Sequence, residues 1–334
     1  PLRRQRLRAE VVLAAPQSYL RSLQVRVETV KQIPQAGKEQ RPKLLPFELE
    51  RAQVHFVVQR QEVREGQLEC LLSVAACERA ALERSLEALW RCGWAPTQVM
   101  PAALALTAAA NALHVLTTEA KLIVDIGERC TTLVVVDGDQ AVYARDVNIG
   151  DEHLTDALTM PIAVGGHTLT LSREDAHTLT RTIGVGAASS GPVQPAMPMA
   201  TYQALVQPVL EQLESEVRRT LAVGVQTSMA HAHGGHAPRR VLISGVGAQW
   251  PRCDQWLSER LEIPVTRMEC AALLGASGSS QALLCGLVVG GPSASPDLLP
   301  PAWRWRSRLV RALALASRVL LWLICAIWIG AGWQ

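Results

Sequence analysis

A turn that carries an aspartate and a glycine is the first place where the residues of this sequence could do chemistry. Asp125 and Gly127 directly follow the apolar residues 122–124. Glycine lets a backbone turn approach a phosphate closely, and an aspartate carboxylate can hold a hydrated magnesium ion. Thr131 and Thr132 come next, at the base of a predicted hairpin. An ordinary β-turn with a satisfied carboxylate has the same residues, so the turn alone leaves both interpretations open.

A second glycine motif strengthens the prediction of a phosphate or nucleotide site. Gly245, Val246 and Gly247 follow the apolar residues 241–243 and precede a predicted helix. Free backbone amides at the start of a helix favour an anion or the edge of a nucleotide. The motif is not a dinucleotide-binding fingerprint, because Trp250 stands where that fingerprint needs its third glycine. The two motifs together are more specific than either one alone.

Alternating apolar patterns predict the strands and helices that position these motifs. Strands are predicted over 122–125, 132–136 and 141–147, joined by turns that contain glycine. The other predicted elements are strands over 11–14, 23–27, 54–58, 68–75 and 240–243, and helices over 77–92, 152–158, 209–223 and 253–261. Residues 184–200, rich in Gly, Pro, Ser and Ala, predict a flexible surface insertion. The mixture of strands and helices indicates an α/β fold.

The composition argues against several classes of function. The 334 residues carry a net charge of +3, and basic residues concentrate at the two ends, so no basic face indicates a nucleic-acid groove. The eight cysteines include no C-x-x-C pair, which predicts reduced cytosolic thiols and no metal site. The sequence contains no G-x-S-x-G nucleophile motif and places no oxyanion donor beside its acidic residues, so we assign no catalytic residue.

The C-terminal residues predict a membrane anchor. Residues 319–333 carry no charge, and extending the run back to 313 adds a single cation. Five arginines precede the run, namely Arg304, Arg306, Arg308, Arg311 and Arg318. The positive-inside rule then places the preceding residues in the cytoplasm. We predict a transmembrane helix over 312–334, truncated at its end, in a chain that is a fragment at both ends. A buried core helix is the alternative, but it should show a polar stripe.

The residues around both glycine motifs resemble those of actin-like proteins of the PilM and FtsA branch. The resemblance is carried by residues 122–138, 142–150, 212–221, 241–248 and 261–265, with 11–16 and 44–50 similar to an inserted subdomain. It implies an actin-like (ribonuclease H-like) two-lobed ATPase fold with an inserted small α+β subdomain. It also implies that Asp125 and Gly127, beside Thr131 and Thr132, face the phosphates of ATP and its magnesium. The residues implied for the adenosine side are Gly245, Val246 and Gly247.

Two departures from the family pattern leave two alternatives. The family's first phosphate hairpin belongs before Val11 and is not among these residues, and Ser244 and Val246 stand where PilM-like sequences usually have glycine. GspL-like relatives of type II secretion have kept the fold and lost the phosphate motifs. The resemblance therefore allows a platform protein loaded with ATP, or a scaffold that uses the actin fold as a docking surface.

A second resemblance lies just before the predicted membrane helix. Pro296, Asp297, Leu298, Leu299 and Pro300 stand in a row there. They are similar to the N-terminal tail of PilN, whose Asn-Leu-Leu-Pro segment docks onto PilM, with aspartate in place of asparagine. Flanking prolines favour an extended backbone, which suits addition to a groove. We therefore predict docking by Asp297, Leu298, Leu299 and Pro300, and a plain proline-rich linker is the alternative.

These patterns and resemblances predict four regions and a scaffold function. The regions are a partial first lobe with the inserted subdomain (1–112), a second actin-like lobe (113–292), a juxtamembrane linker (293–311) and the transmembrane helix (312–334). The resemblance implies a cytoplasmic scaffold of a type IV pilus or type II secretion platform at the bacterial inner membrane. Its partners would be a motor ATPase and platform proteins, and no nucleic acid. The alternatives are an ATP-hydrolysing enzyme of the actin, sugar-kinase and chaperone superfamily, or an FtsA-like cell-division protein.

Overall fold

The computed structural model describes residues 11–14, 18–40, 48–64, 66–116, 119–164, 167–185, 197–229, 237–270, 281–290 and 296–331. The strands are β1 (Val11–Ala14), β2 (Tyr19–Val27), β3 (Ala52–Arg64), β4 (Gln67–Glu78), β5 (Pro96–Met100), β6 (Lys121–Ile126), β7 (Thr131–Asp137), β8 (Gln140–Val147), β9 (Ile162–Val164), β10 (His167–Leu169), β11 (Arg240–Gly245) and β12 (Val265–Arg267). The helices are α1 (Ile33–Gln40), α2 (Arg79–Arg91), α3 (Ala102–Ala112), α4 (Asp151–Leu158), α5 (Arg173–Ile183), α6 (Met199–Met229), α7 (Cys253–Leu261), α8 (Ala282–Val289) and α9 (Pro301–Ala331).

One mixed sheet forms the centre of the molecule, with the strand order β12-β11-β6-β7-β8-β2-β4-β3. β6, β7 and β8 are antiparallel neighbours, whereas β11 runs parallel to both β6 and β12. Helices α4 to α7 pack on one face of this half of the sheet, and α3 and α8 pack on the other. Because both faces are covered, β6 and β7 are almost continuous runs of buried apolar residues. The carboxyl ends of β6 and β11 meet at one edge of the sheet, where both glycine motifs lie.

The N-terminal residues add β2, β4 and β3 to the outer side of β8. β2 pairs with β4 along its whole length, but in the described residues it pairs with β8 at two positions, Leu20 with Ala144 and Arg21 with Tyr143. The Arg21 guanidinium donates to the carbonyl of Ala144 at 2.6 Å and lies 3.8 Å from the centre of the Tyr143 ring. We call this short junction the β2–β8 seam. β1 and β5 form a separate parallel pair.

Most predicted elements are present, but the observed strands β5, β9, β10 and β12 and the helices α1, α3, α5 and α8 were not predicted. Residues 33–40 form α1, which no apolar periodicity predicted; Pro34 lies in its first turn, where a missing N–H is tolerated. Residues 186–196 of the predicted insertion lie outside the described part of the chain. Beside the undescribed residues, Val185 and Met197 are buried in the core. Pro198 and Ala200, at the end of the predicted insertion, are exposed.

Residues 312–331 of the predicted transmembrane helix lie in α9, and residues 332–334 lie outside the described part of the chain. The helix α9 begins at Pro301, and proline suits the first helical position because no intrahelical bond needs its N–H there. Among the described residues, no helix combines the length and the apolar character needed to cross a bilayer. The transmembrane helix predicted over 312–334 is therefore not confirmed.

Candidate functional site

The two glycine motifs lie side by side at the carboxyl edge of the sheet. β6 and β11 are parallel neighbours, and their register pairs Asp125 with Ser244. Gly127 follows β6 directly, and residues 245–247 close β11 and the turn after it. The structure thus brings together the residues that the sequence assigned to the phosphates and to the adenosine.

Close contact with β6 explains the glycines of the second motif. Gly245 has a φ of +84°, and a Cβ there would lie 2.3 Å from the carbonyl oxygen of Ile126. A Cβ on Gly247 would lie 2.3 Å from Cγ2 of Ile126. Contacts this short leave no room for a side chain, and a positive φ disfavours any residue with a Cβ. The motif therefore has a packing function in addition to any function towards a ligand.

Asp125 is turned into the protein. Its Oδ1 accepts a hydrogen bond from Oγ of Ser244 at 2.6 Å. Burial raises the pKa of Asp125, and the hydrogen bond from Ser244 offsets this in part. One oxygen of this half-buried carboxyl is therefore held by a donor of the protein.

The two predicted threonines donate to groups of the protein itself. Oγ1 of Thr131 donates to the carbonyl of Ile149 at 2.7 Å. Oγ1 of Thr132 donates to Oδ1 of Asp146 at 2.7 Å, and Oδ2 of Asp146 accepts from the backbone N–H of Ser18 at 2.8 Å. Burial raises the pKa of Asp146 to about 6. Neither threonine hydroxyl is directed at a ligand.

Asp146 completes a row of polar side chains across four strands. The sheet register pairs Ser244 with Asp125, Asp125 with Thr132, and Thr132 with Asp146. Directly paired residues project from the same face of a sheet, so these four side chains form one row, which we call the polar row. The sequence analysis did not single out Asp146. A carboxylate inside a predicted strand was the feature that could have indicated Asp146. The strand register that places it in one row with Asp125 cannot be read from the sequence.

The turn after β6 uses its own backbone groups. The N–H of Gly127 donates to the carbonyl of Cys130 at 2.9 Å. The first amides of α4 donate back to the same turn: Asp151 to the carbonyl of Gly127 at 3.0 Å, and Glu152 to the carbonyl of Glu128 at 2.8 Å. Amides at the start of a helix are natural ligands for a phosphate. In this structure the carbonyls of the turn accept their hydrogen bonds.

A cleft of about 390 Å³ opens beside this turn, between α4 and α5, and Val246 lines it. Carboxylates of Glu128, Asp151, Glu152 and Glu174 line the cleft, together with the basic side chains of Arg173, His177 and Arg181. Asp151 is held in place by Trp250, whose Nε1 donates to Oδ1 at 2.7 Å, and its Oδ2 lies 3.5 Å from Nε2 of His177. Glu152 is paired with Arg129 of the turn, whose Nε donates to Oε2 at 2.9 Å.

The residues at this edge do not fit a magnesium triphosphate. One oxygen of the Asp125 carboxyl accepts from Ser244, and the amides of Gly127, Asp151 and Glu152 are bonded within the protein. Carboxylates of Glu128 and Asp151 line the cleft beside the turn, and carboxylates repel a triphosphate. Within the described part of the chain, no three His, Cys, Asp or Glu side chains are grouped as a metal site. Binding of ATP and magnesium stays a prediction from the resemblance.

The predicted docking residues add to β5, far away in the sequence. The N–H of Leu298 donates to the carbonyl of Val99 at 2.9 Å. Oδ1 of Asp297 accepts from the N–H of Val99 and from the N–H of Leu299, each at 3.0 Å. Leu298, Leu299 and Pro300 are buried, and the two leucines belong to the core cluster that also contains α3. The segment thus binds the body of its own chain as an added extended strand would.

The first turns of α9 continue this attachment. Trp303 is 6% exposed and lies against Trp90 of α2, with ring centroids 5.8 Å apart in an edge-on arrangement. Oγ of Ser307 donates to the carbonyl of Pro96 at 2.6 Å, and Nε of Arg304 donates to the carbonyl of Leu299 at 2.9 Å. We call residues 296–307 the docked linker. Ser307 was given no role from the sequence, although a spacing of four residues places it on the same side of the helix as Trp303.

Comparisons with known proteins identify the class of fold. No protein-family model and no curated protein matches the chain. A solved structure of a PilM–PilN type IV pilus biogenesis complex matches with a TM-score of 0.62 and 21% identity, covering 82% of this chain and 76% of that chain. MreB 5 of Spiroplasma citri bound to AMPPNP matches with a TM-score of 0.47 and 13% identity, over 63% of this chain and 64% of its own. The ethanolamine utilization protein EutJ from Carboxydothermus hydrogenoformans has a TM-score of 0.41 and 17% identity, over 63% and 62%.

The chain therefore has an actin-like fold. Within that class its architecture is PilM-like, as the PilM–PilN match shows at the level of the fold. The fold-class prediction of an actin-like α/β protein is confirmed in this respect.

Proposed function

We propose that the chain is the cytoplasmic scaffold of a type IV pilus assembly platform, which couples a cytoplasmic motor ATPase to membrane and periplasmic components. The similarity in fold to the PilM–PilN complex supports this class of function. The observation that carries the proposal is the docked linker, because it joins the actin-like body to α9 through buried contacts. A type II secretion platform uses a related scaffold and is the alternative that the same contacts allow.

The docked linker is suited to passing a displacement from the body to α9. Burying two leucine side chains contributes about 1.5–3 kcal/mol each. Arg304 adds a hydrogen bond to the carbonyl of Asp297 at 3.0 Å, and its guanidinium lies 3.3 Å from the Asp297 carboxylate. Because α9 begins one residue after Pro300, a shift of β5 moves the start of α9 with it. Chains of packed side chains and hydrogen bonds of this kind can carry coupling between distant sites. This role needs no bound nucleotide.

The location that we propose is the bacterial inner membrane, in a single-pass arrangement with the N-terminal bulk in the cytoplasm. Support comes from the sequence alone, since five arginines precede residues 319–333 and those residues are uncharged. Alkaline carbonate extraction of membranes that contain the full chain tests this location. A single-pass protein stays in the membrane pellet. Release into the supernatant would show that partners, and not a membrane anchor, hold the chain at the membrane.

Recruitment of the motor ATPase to membranes tests the scaffold role. Membranes that contain the full chain are mixed with the pilus motor ATPase of the same organism, and bound ATPase is measured after flotation. We expect recruitment by the wild-type chain, and equal recruitment by Trp305→Ala, which changes a 65% exposed side chain of α9. Absence of recruitment by the wild-type chain would contradict the scaffold role.

Leu298→Asp tests whether the docked linker carries the coupling. The variant places a charge in the buried position of Leu298, so the linker should leave β5. We expect the body to recruit the ATPase while ATPase activity no longer responds to the membrane platform proteins. Circular dichroism of the variant checks that the body remains folded. A response equal to that of the wild-type chain would exclude the docked linker as the coupling element.

A further inference from the structure

The polar row joins the N-terminal strands to the second lobe through groups of the protein alone. Ser18 directly precedes β2, and its N–H donates to Asp146 on β8 at 2.8 Å. Thr132 on β7 donates to the other oxygen of the same carboxyl. On the far side of Thr132, Asp125 is bonded to Ser244 of β11. Two hydrogen-bonded groups, Ser244 with Asp125 and Thr132 with Asp146 and Ser18, therefore lie side by side in one row from β11 to the residue before β2.

We infer that the polar row takes the place of a magnesium nucleotide in this chain, so that the β2–β8 seam is closed by protein groups and does not depend on ATP. The inference is independent of the proposed scaffold role, because it concerns β2 and β8 and not the docked linker.

Hydrogen-bond accounting supports this inference. A carboxylate that waits for a magnesium ion should leave oxygen atoms without donors, whereas both oxygens of Asp146 accept bonds from protein donors. Among the described residues, the buried side-chain atoms without a partner belong to His55, Ser73 and Arg181. None of these residues belongs to the polar row. Both oxygens of Asp146 and one oxygen of Asp125 thus have donors within the protein.

The shortness of the seam explains why the row matters. β2 pairs with β8 at two register positions, which is far less than its pairing with β4. Arg21 strengthens the seam on one side through the carbonyl of Ala144 and the ring of Tyr143. The contact between Ser18 and Asp146 lies beyond these positions and lengthens the seam at its other end. Removing it should open β2 from β8 before the rest of the sheet opens.

Calorimetry and thermal unfolding of the full chain in detergent, with Mg-ATP or with EDTA, test whether the chain binds a magnesium nucleotide. We expect no saturable heat and no change in Tm. A site with a Kd of about 10 μM would raise the Tm by roughly 5 °C at about 1 mM Mg-ATP. Saturable, magnesium-dependent binding that Asp125→Ala abolishes would overturn the inference.

Hydrogen exchange measured by mass spectrometry tests whether the polar row closes the β2–β8 seam. In Asp146→Ala, we expect amides of β2 to exchange at least about tenfold faster, since both Ser18 and Thr132 lose their acceptor, while β6 and β7 remain protected. Asp139→Ala, in the exposed turn between β7 and β8, is the matched control and should leave exchange in β2 unchanged. Asp146→Asn keeps one oxygen acceptor and should give a smaller effect if the alanine variant does not fold. Unchanged β2 exchange in both Asp146 variants, or recovery of protection on adding Mg-ATP, would overturn the inference.

Discussion

The polar row and the docked linker are two regions that a short motif pointed to, and the structure treats them differently. In the polar row, the predicted residues are adjacent, but their hydrogen bonds go to one another and to the protein around them. In the docked linker, the predicted residues bind an extended backbone, as the motif indicated. That backbone is β5 of their own chain.

The difference shows that adjacent motif residues do not make a ligand site unless their polar groups are free to bind the ligand. A phosphate site needs free amides and charged or hydrated carboxylates. Beside the turn after β6, the amides of Gly127 and Asp151 donate to carbonyls of the protein, and the Asp125 carboxyl accepts from Ser244. A docking segment needs apolar side chains and an extended backbone, and Leu298 satisfies both needs at β5. Four substitutions or conditions test this comparison.

Trp303→Ala should give the largest effect, in the docked linker. Truncating a buried tryptophan typically lowers the free energy of unfolding by about 3–5 kcal/mol. Trp305→Ala, two residues later and exposed, should change it by less than about 0.5 kcal/mol. Urea unfolding followed by circular dichroism measures both variants. Equal effects would mean that the linker is not docked in solution.

The pH dependence of stability should show the next effect, in the polar row. Asp146 keeps its proton in the folded state up to about pH 6, whereas an unfolded aspartate loses it near about pH 4. Between these values the folded state binds more protons, so the free energy of unfolding falls as the pH rises through this window. Two pKa units correspond to roughly 3 kcal/mol, which is an upper bound for this contribution.

Asp146→Asn isolates this contribution because it removes the titration and keeps the size of the side chain. Asp125, Tyr19 and Cys130 have electrostatic interactions with Asp146 and remain in both proteins. The difference in free energy of unfolding between wild type and variant should therefore change between about pH 4 and pH 7. Urea unfolding at several pH values measures it. A constant difference would show that Asp146 titrates as an exposed carboxyl does.

Asp297→Ala and Asp297→Asn form the third test, in the docked linker. Alanine removes the acceptor shared by the amides of Val99 and Leu299, and we expect a loss of about 1–3 kcal/mol in the free energy of unfolding. Asparagine keeps an oxygen in that place and removes the ion pair with Arg304, so its loss should stay below about 1 kcal/mol. If both variants are equally destabilised in urea, the ion pair and not the shared acceptor positions the linker.

Local patterns were sufficient to predict much of the second lobe from the sequence. The strands β6, β7 and β8 were predicted because glycine turns separate three apolar runs, and α7 was predicted within its observed bounds because apolar residues recur at helical spacing. The neighbouring position of the two glycine motifs agrees with the actin-like order of elements. Helix α1 was missed because its residues show no apolar periodicity.

Contacts between residues far apart in the sequence could not be predicted. The partner of Asp146 is an amide in a segment that shows no motif, and the partner of Leu298 is one carbonyl of a five-residue strand. Which of two adjacent residues faces a given neighbour depends on register, and a shift of one residue would reverse it. The sequence therefore identified Asp125, Thr132 and residues 297–300, but neither Asp146 nor the groups that these residues bind.

Ser244→Ala should give the smallest effect and tests the polar row at its other end. Ser244 donates to the half-buried Asp125 carboxyl, so its loss should lower the free energy of unfolding by about 1 kcal/mol. Bonds to a charged acceptor are stronger than bonds to a neutral one, so the effect should grow as the pH rises and Asp125 loses its proton. Ser215→Ala, in an exposed position of α6, is the control. A Ser244→Ala variant that is as stable as the wild type and also binds magnesium would mean that the Asp125 end of the row is an open ligand site, and the contrast between the two regions would disappear.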